Sequence, residues 1–399
     1  MLSSIKQNRD ANDFNKVTDA IVDGVRTVSL DNLEKLKYPH WAPSWDPNDQ
    51  LRFENPPPFK HTDRGYFGDP AFENLYAGKN VEHKPLSPKL GTEIKGVQLS
   101  TLTDRQKDDL ALLVEQRGVV VFREQDFKEL PFDDILKWGE HFGPLHIHPT
   151  TGAPRGQPKF HIVYRRASRQ EQISKLSHKL NTLGWHSDVS YELQPPALTL
   201  LAMLQTSVGG DTHFVDTITA YERFSPLFQS YLEKLYVLNT SEDQANASKR
   251  NGGIQRKPEV TSIHPLVRYH PVLKKKAIYL NRGFARRILG LKQEESDKLL
   301  AFLYSHLESC LDAHIRANWD ENTVVVWDNR RLIHSATYDW DTDSLRHAFR
   351  LTTLGERPIA SEEEFENWTP ELELEKLKDL KEKIELTPAD YYEKYGIKD

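Results

Sequence analysis

Six short strand-like runs crowd the chain after residue 160, at residues 161–164, 198–204, 212–216, 277–280, 323–328 and 346–354. Only two helical stretches interrupt them, at residues 218–235 (broken near Pro226) and 293–306. Many short strands, long connections and few helices can bury their apolar faces only by closing two sheets on each other. The pattern predicts a mainly β protein with flanking helices (α+β), built as a double-sheet barrel or jelly roll.

The first half prepares that body. Residues 90–100 alternate as a strand does, and residues 103–117 form an amphipathic helix with Leu110, Leu113 and Val114 on one face. Gly118 stops that helix, a buried strand follows at residues 119–122, and a second helix at residues 133–142 ends at Gly143-Pro144. Before this lie 84 irregular residues with the run Asn55-Pro56-Pro57-Pro58 and scattered aromatics, including Trp41, Trp45, Tyr66 and Phe67. They read as an extended arm lying against a body. The expected organisation is an arm over residues 1–84, a body over residues 85–358 and a charged helical tail over residues 359–399, with Tyr391-Tyr392 as a possible anchor.

Composition removes several classes. Cys310 is the single cysteine, so neither an intrachain disulfide nor a zinc site built on several thiolates can form. Fifty-three basic against 59 acidic residues give a net charge of -6, which argues against nucleic acid as a partner. The longest apolar runs, such as residues 197–204, are too short to span a membrane. The first residues carry no apolar stretch of the kind a secretory signal needs, so the expected compartment is the cytoplasm. Any metal must sit on His, Asp or Glu.

Sixteen histidines offer candidates, and position chooses among them. In Trp185-His186-Ser187-Asp188 the residues two apart share a face of an extended segment, so His186 and Asp188 can reach one ion. A buried strand at residues 324–328, then a turn, leads to His334 as a third donor. Two imidazoles and one carboxylate on one face leave three positions open, the facial triad of non-haem Fe(II) oxygenases. Two of these positions can chelate an oxo acid and the third can take O₂.

Ordered blocks surround these residues: residues 142–149 (FGPLHIHP), 185–191 (WHSDVSY), Pro195-Pro196, 209–212 (GGDT), 281–284 (NRGF), 327–330 (WDNR) and 346–350 (RHAFR). From about Leu90 to Pro358 the chain resembles the taurine dioxygenase family of Fe(II)/2-oxoglutarate-dependent oxygenases. With its long arm and tail it looks like the fungal branch, which includes sulfonate dioxygenases. The resemblance implies a double-stranded β-helix (jelly-roll) core. It implies His186, Asp188 and His334 as iron ligands, with 2-oxoglutarate as cosubstrate alongside O₂. It assigns Arg346 and Thr212 to the distal carboxylate of 2-oxoglutarate, and a guanidinium suits that carboxylate because it can bind it through two parallel hydrogen bonds. Arg350, four residues on, shares the strand face of Arg346 and can serve the near carboxylate or a substrate anion. His148, the Val189 backbone N–H and Phe284 match family residues that contact a sulfonate or wall its pocket. Relatives form dimers or tetramers, so a homo-oligomer is expected.

The implied reaction hydroxylates the carbon next to a sulfonate, taurine or a related alkanesulfonate. It yields an aldehyde and sulfite together with succinate and CO₂, for sulfur assimilation. Taurine-specific members carry a tyrosine shortly after the His-Pro pair, where this chain has Thr150-Thr151, so the preferred sulfonate is open. The alternatives are the same chemistry on an alkyl sulfate ester, an aryloxy acid or xanthine, a zinc hydrolase on the same triad, or a non-catalytic jelly-roll binding protein. A basic stretch between Pro149 and Trp185, with Arg155, Arg165, Arg166, Arg169 and Lys175, reads as a loop that can act as a lid.

Overall fold

Side-chain alternation along ten strands builds two sheets that face each other. The strands are β1 (Glu82–Pro85), β2 (Thr92–Lys95), β3 (Val119–Phe122), β4 (His161–Arg166) and β5 (Pro196–Gln205). They continue with β6 (Thr212–Asp216), β7 (His314–Ala317), β8 (Val324–Asp328), β9 (Leu332–Ala336) and β10 (Leu345–Leu354). The computed structural model describes residues 20–166, 184–339 and 344–385. The larger sheet runs β1-β2-β3-β8-β5-β10-β4 and the smaller β7-β6-β9. All pairings are antiparallel except β2 with β3.

Parity decides which side chains enter the space between the sheets. Val119 and Val121 of β3, Leu201 and Met203 of β5, Val325 and Trp327 of β8 and Ala348 of β10 meet Phe214 of β6 and Leu332 of β9 there. The intervening residues, among them Val120, Phe122, Leu200, Val324, Val326, Phe349 and Leu351, face outward into a second core. Helices α1 (Asp104–Arg117) and α2 (Phe132–Glu140) cover that outer face. Helix α1 starts where the Thr103 hydroxyl and the Gln106 side chain cap each other's backbone N–H groups, and it stops at Gly118, whose φ of 71° suits glycine. Behind the smaller sheet, Val215 and Ile333 pack with a third sheet of Tyr236–Thr240, Thr261–Pro265 and Ala285–Ile288 and with helix α3 (Gln293–Ser309).

The structure extends several expected elements and adds others. The strand expected at residues 90–100 is only Thr92–Lys95, and the one expected at residues 277–280 is Lys275–Ile278. The helix over residues 218–235 is two helices, Thr217–Glu222 and Pro226–Leu232, because Pro226 starts the second. Arg165 and Arg166 are not in a loop but continue β4, where they pair with β10. As expected, a turn at residues 329–331 follows the buried strand β8, and His334 then sits in the middle of β9. Arg169, Lys175 and Tyr391-Tyr392 lie outside the described residues. The tail contributes helices at Glu362–Asn367 and Pro370–Glu385, and no helix of the described residues is long and apolar enough to cross a membrane.

The arm supplies a part of the core that the body lacks. Trp41 is fully buried and stacks on Phe349 of β10 at 4.1 Å, with Phe160 edge-on at 5.1 Å. Its carbonyl meets His347 Nε2 at 3.0 Å. Truncation as Trp41→Ala should therefore lower stability by about 3–5 kcal/mol, read as a lower denaturant midpoint.

His347 gives stability a pH dependence of known sign. Burial holds its imidazole down to about 4, although the bond to Trp41 pulls the other way. The unfolded chain takes up this proton below about 6.5, the folded chain only below about 4. The contribution is complete above about 6.5 and is lost as pH falls toward 4. Buried His148, His161 and His264, whose imidazoles are also held well below the usual range, add slope of the same sign. The unfolding midpoint should decline across this window. His347→Gln, which keeps a donor but does not titrate, should flatten the decline by up to about 3 kcal/mol.

Candidate metal and anion site

Backbone pairing brings two imidazoles together on the inner face of the smaller sheet. His186 N–H donates to the His334 carbonyl at 3.0 Å and His334 N–H to the His186 carbonyl at 2.7 Å, which sets the rings 4.2 Å apart. His186 Nδ1 meets the Gly184 carbonyl at 2.7 Å. A carbonyl only accepts, so the proton is on Nδ1 and the Nε2 lone pair is left for a metal. Both Nε2 atoms lie 3.8 Å from Asp188 Oδ1, and the ligand atoms of the three residues all fall within 4.8 Å of one another.

Asp188 is aimed from behind by Asn329. Its N–H donates to Asn329 Oδ1 at 2.7 Å, and Asn329 Nδ2 donates back to the Asp188 carbonyl at 3.1 Å. The next residue, Val189, has a φ of 38°, a left-handed conformation that a β-branched side chain adopts only under constraint. Its side chain packs with Tyr191 and Phe284, and its N–H is unpaired among the described residues.

The electrostatics prepare this set for a cation. Burial pushes the Asp188 carboxyl up, but Arg350, His334 and His186 outweigh it and hold it below the usual range. Burial, aided by His186, pulls His334 down to about 3, and burial also lowers His186. One carboxylate and two neutral imidazoles result. Among the described residues, Asp188 Oδ2 and His334 Nδ1 are buried without a partner, as are Ser187 Oγ, Ser190 Oγ, Thr151 Oγ1 and Arg350 Nε. Orphaned polar atoms of both signs in one place are what a bound cation and an oxygen-rich ligand would satisfy. The donor set fits Fe(II).

At one end of the site Arg346 lies 5.5 Å over the Trp319 ring and donates to the Gly210 carbonyl. Burial, then neighbouring Arg165, brings its pKa down to about 10, so it remains a cation. Trp319 Nε1 donates to Thr212 Oγ1 at 3.0 Å. An indole N–H cannot accept, so the Thr212 hydroxyl keeps its own proton to donate to a carboxylate. Sequence reasoning missed Trp319 because its hydrogen-bond partner, Thr212, is more than a hundred residues away.

At the other end Arg350 donates to Asp188 Oδ1, and His148 is locked in one tautomer. The N–H groups of Thr150 and Thr151 both donate to His148 Nδ1 at 3.2 Å. Nδ1 must then be the acceptor, which places the proton on Nε2 and makes that atom a donor. Two cations also missed from the sequence hold this loop. Arg256, 1 % exposed, donates to the Thr151 carbonyl, and its N–H donates to the Pro149 carbonyl at 2.7 Å. Lys257 donates to Glu192 at 2.7 Å, and Glu192 also holds His146 at 2.7 Å. Their neighbours give no hint of burial, since a basic pair in a loop looks solvated.

A second acid group, His61, Asp63 and Glu356, is also close enough to hold a metal. Arg330 already donates to both carboxylates, so an ion-pair network occupies it.

A jelly roll with a two-histidine, one-carboxylate face and a guanidinium at each end of it is an Fe(II)- and 2-oxoglutarate-dependent dioxygenase. Residues 82–352 match the model of the taurine catabolism dioxygenase TauD, TfdA family, and the chain belongs to that family. It is 47% identical over 343 residues to an alpha-ketoglutarate-dependent sulfonate dioxygenase of Saccharomyces cerevisiae, covering 84% of this chain and 82% of that protein. It is 29% identical over 287 residues to an alpha-ketoglutarate-dependent sulfate ester dioxygenase of Pseudomonas putida, covering 69% and 90%. Among solved structures, a taurine dioxygenase from Burkholderia xenovorans superposes with a TM-score of 0.56 at 27% identity, covering 70% of this chain and 91% of that one.

The role of Asn329 can be tested without turnover. Asn329→Ala leaves Asp188 in place but removes the amide that orients it. Affinity for Fe(II), or for Co(II) as a spectroscopic stand-in, should fall about 10- to 100-fold in an anaerobic titration.

Proposed function

We propose that this chain oxidises alkanesulfonates, with His186, Asp188 and His334 holding the iron. The observation that carries the reading is the basic corner beside the triad, where the His148 Nε2–H, the unpaired Val189 N–H and Arg350 offer donors to an acid group. The relative at 47% identity, described as a sulfonate dioxygenase, supports the same substrate class.

Each residue then has a definite task. Arg346 pairs with the distal carboxylate of 2-oxoglutarate and Thr212 donates its hydroxyl proton to it. Bound Fe(II) supplies the activation of O₂ that couples decarboxylation of 2-oxoglutarate to attack on a C–H bond. His148, Val189 and Arg350 hold the sulfonate so that the adjacent C–H bond is the one presented, and this placement is the protein's main contribution to rate. Phe284, packed on Tyr191 at 4.6 Å, walls the carbon side of the pocket. The hydroxylated product is unstable without further help: the C–S bond breaks, its electron pair leaves with sulfite, and the hydroxyl loses its proton to give the aldehyde. In this reading residues 85–358 are the catalytic body, the arm packs on its core and the tail covers its surface.

The test is sulfite release from purified protein with Fe(II), ascorbate, 2-oxoglutarate and O₂, using taurine, isethionate and an alkyl sulfate. Sulfite from a sulfonate should require all three of iron, 2-oxoglutarate and O₂. His334→Ala should reduce both sulfite and succinate to background. Succinate without sulfite from any sulfonate would discard the substrate class and keep the oxygenase.

A further inference from the structure

The strand pair β4–β10 presents two matched sets of basic groups to the interior. In β4, Ile162 and Tyr164 belong to the outer core. His161, Val163 and Arg165 therefore point inward, and Val163 packs against the inner core as parity requires. In register, Arg165 lies opposite Arg346 and His161 lies opposite Arg350. The two sets are four residues apart, about 13 Å along the strands. The first stands at the Trp319 and Thr212 end of the site. The second stands at the Asp188 and His148 end.

His161 has no evident structural employment there. Its ring lies against His148 at 4.7 Å, inclined by 61°. Neither ring nitrogen has a hydrogen-bond partner among the described residues, and Nδ1 is buried. Arg350 Nε and Thr151 Oγ1 nearby are buried and unpartnered as well. Two carboxylates of the site are engaged elsewhere: Asp188 Oδ1 by Arg350, and Glu192 by Lys257 and His146. Burial, with Arg350 next to it, keeps His161 neutral, so it can give one N–H and need not carry charge into the pocket. A corner with several donors, among them an N–H of His161, is suited to a ligand that brings several acceptor oxygens.

We propose that His161 contacts the acid group of the substrate directly, as a donor in addition to His148, Arg350 and the Val189 N–H, and thereby selects a three-oxygen acid over a carboxylate. The proposal rests on the sulfonate reading above and narrows it. The donors come from four separate places: strand β4, strand β10, the loop at 148 and the loop at 189. A sulfonate or sulfate presents three oxygens around a tetrahedral centre and can meet donors arriving from several directions. A carboxylate has two oxygens in one plane and would leave a buried donor unpaired, and unpaired donors are how a polar site rejects a near analogue.

The experiment is isothermal titration of the anaerobic protein loaded with Fe(II) and 2-oxoglutarate, using isethionate and its carboxylate counterpart, 3-hydroxypropanoate. The wild-type protein should prefer isethionate. In His161→Ala the isethionate Kd should rise about tenfold, the loss of one hydrogen bond to a charged partner. The Kd values for 3-hydroxypropanoate and 2-oxoglutarate should stay within about twofold. His161→Gln, which retains an N–H donor, should recover most of the isethionate affinity. Wild-type isethionate affinity in His161→Ala would overturn the role. So would an equal weakening of all three ligands, which would mean a loosened β4–β10 pair. Should the wild-type protein bind none of isethionate, taurine and an alkyl sulfate, the sulfonate reading would fall and this inference with it, a result distinct from failure of His161 alone.

Discussion

A single buried guanidinium holds together the parts from which the site is made. Arg330 donates to Asp328, Glu115, Asp63 and Glu356, which come from the end of β8, from helix α1, from the arm and from the segment after β10. Withdrawing an arginine and its partners from water costs several kcal/mol per ion, and only a closely satisfied network offsets it. Here the charges are balanced by two further features. Arg268 pairs with Glu356 at 2.6 Å, and burial together with Asp63 pushes the Glu115 carboxyl well above the usual range. The consequence for function is positional. The network fixes the turn from Asp328 to Arg331, and that turn sends Asn329 to Asp188 and starts the strand that carries His334.

Parity transmits this fixed point through the rest of the barrel. Every residue of β10 is buried, so both faces must find partners. The inward residues Arg346 and Arg350 are basic, and the outward residues His347 and Phe349 meet the arm through the Trp41 carbonyl and ring. A slip of one residue would exchange these faces and put two guanidinium groups against Trp41. Packing on the outside of the sheet therefore enforces the chemistry on the inside. The arm is less a covering than the counterpart of the site across one layer of backbone.

The sequence was most readable where local rules decide. The strands at residues 119–122 and 212–216, the helix from Thr103 to Gly118 and the inward pairing of Arg346 with Arg350 follow from period and capping alone. His186 and Asp188 were visible because two donors two residues apart must share a face. The strands at Tyr236–Thr240, Val267–His270 and His314–Ala317 were not visible, since each mixes polar or basic residues such as Asn239, Arg268 and His314 with its apolar ones. Arg256, Lys257, His161 and Trp319 were missed for a related reason. A buried cation or a partnered indole is defined by groups distant in sequence, and nothing local distinguishes it from a solvated one.

The departure at Thr150-Thr151 shows how a pocket can change its wall and keep its anion contact. A large side chain is absent, yet the backbone N–H groups of both threonines still lock His148 with Nε2 as donor. That lock depends on the loop path and not on the side chains. The path is held by Arg256, which joins the Thr151 carbonyl to Ser44 and Asp49 of the arm. Trp45 adds a bond from its indole to the Thr150 carbonyl at 3.2 Å. With the loop pinned from outside, the side chain at 151 can change without disturbing the His148 donor. In the proposed reading, substrate range and acid recognition are thus separated between residues 148 and 151, and the arm makes the separation possible.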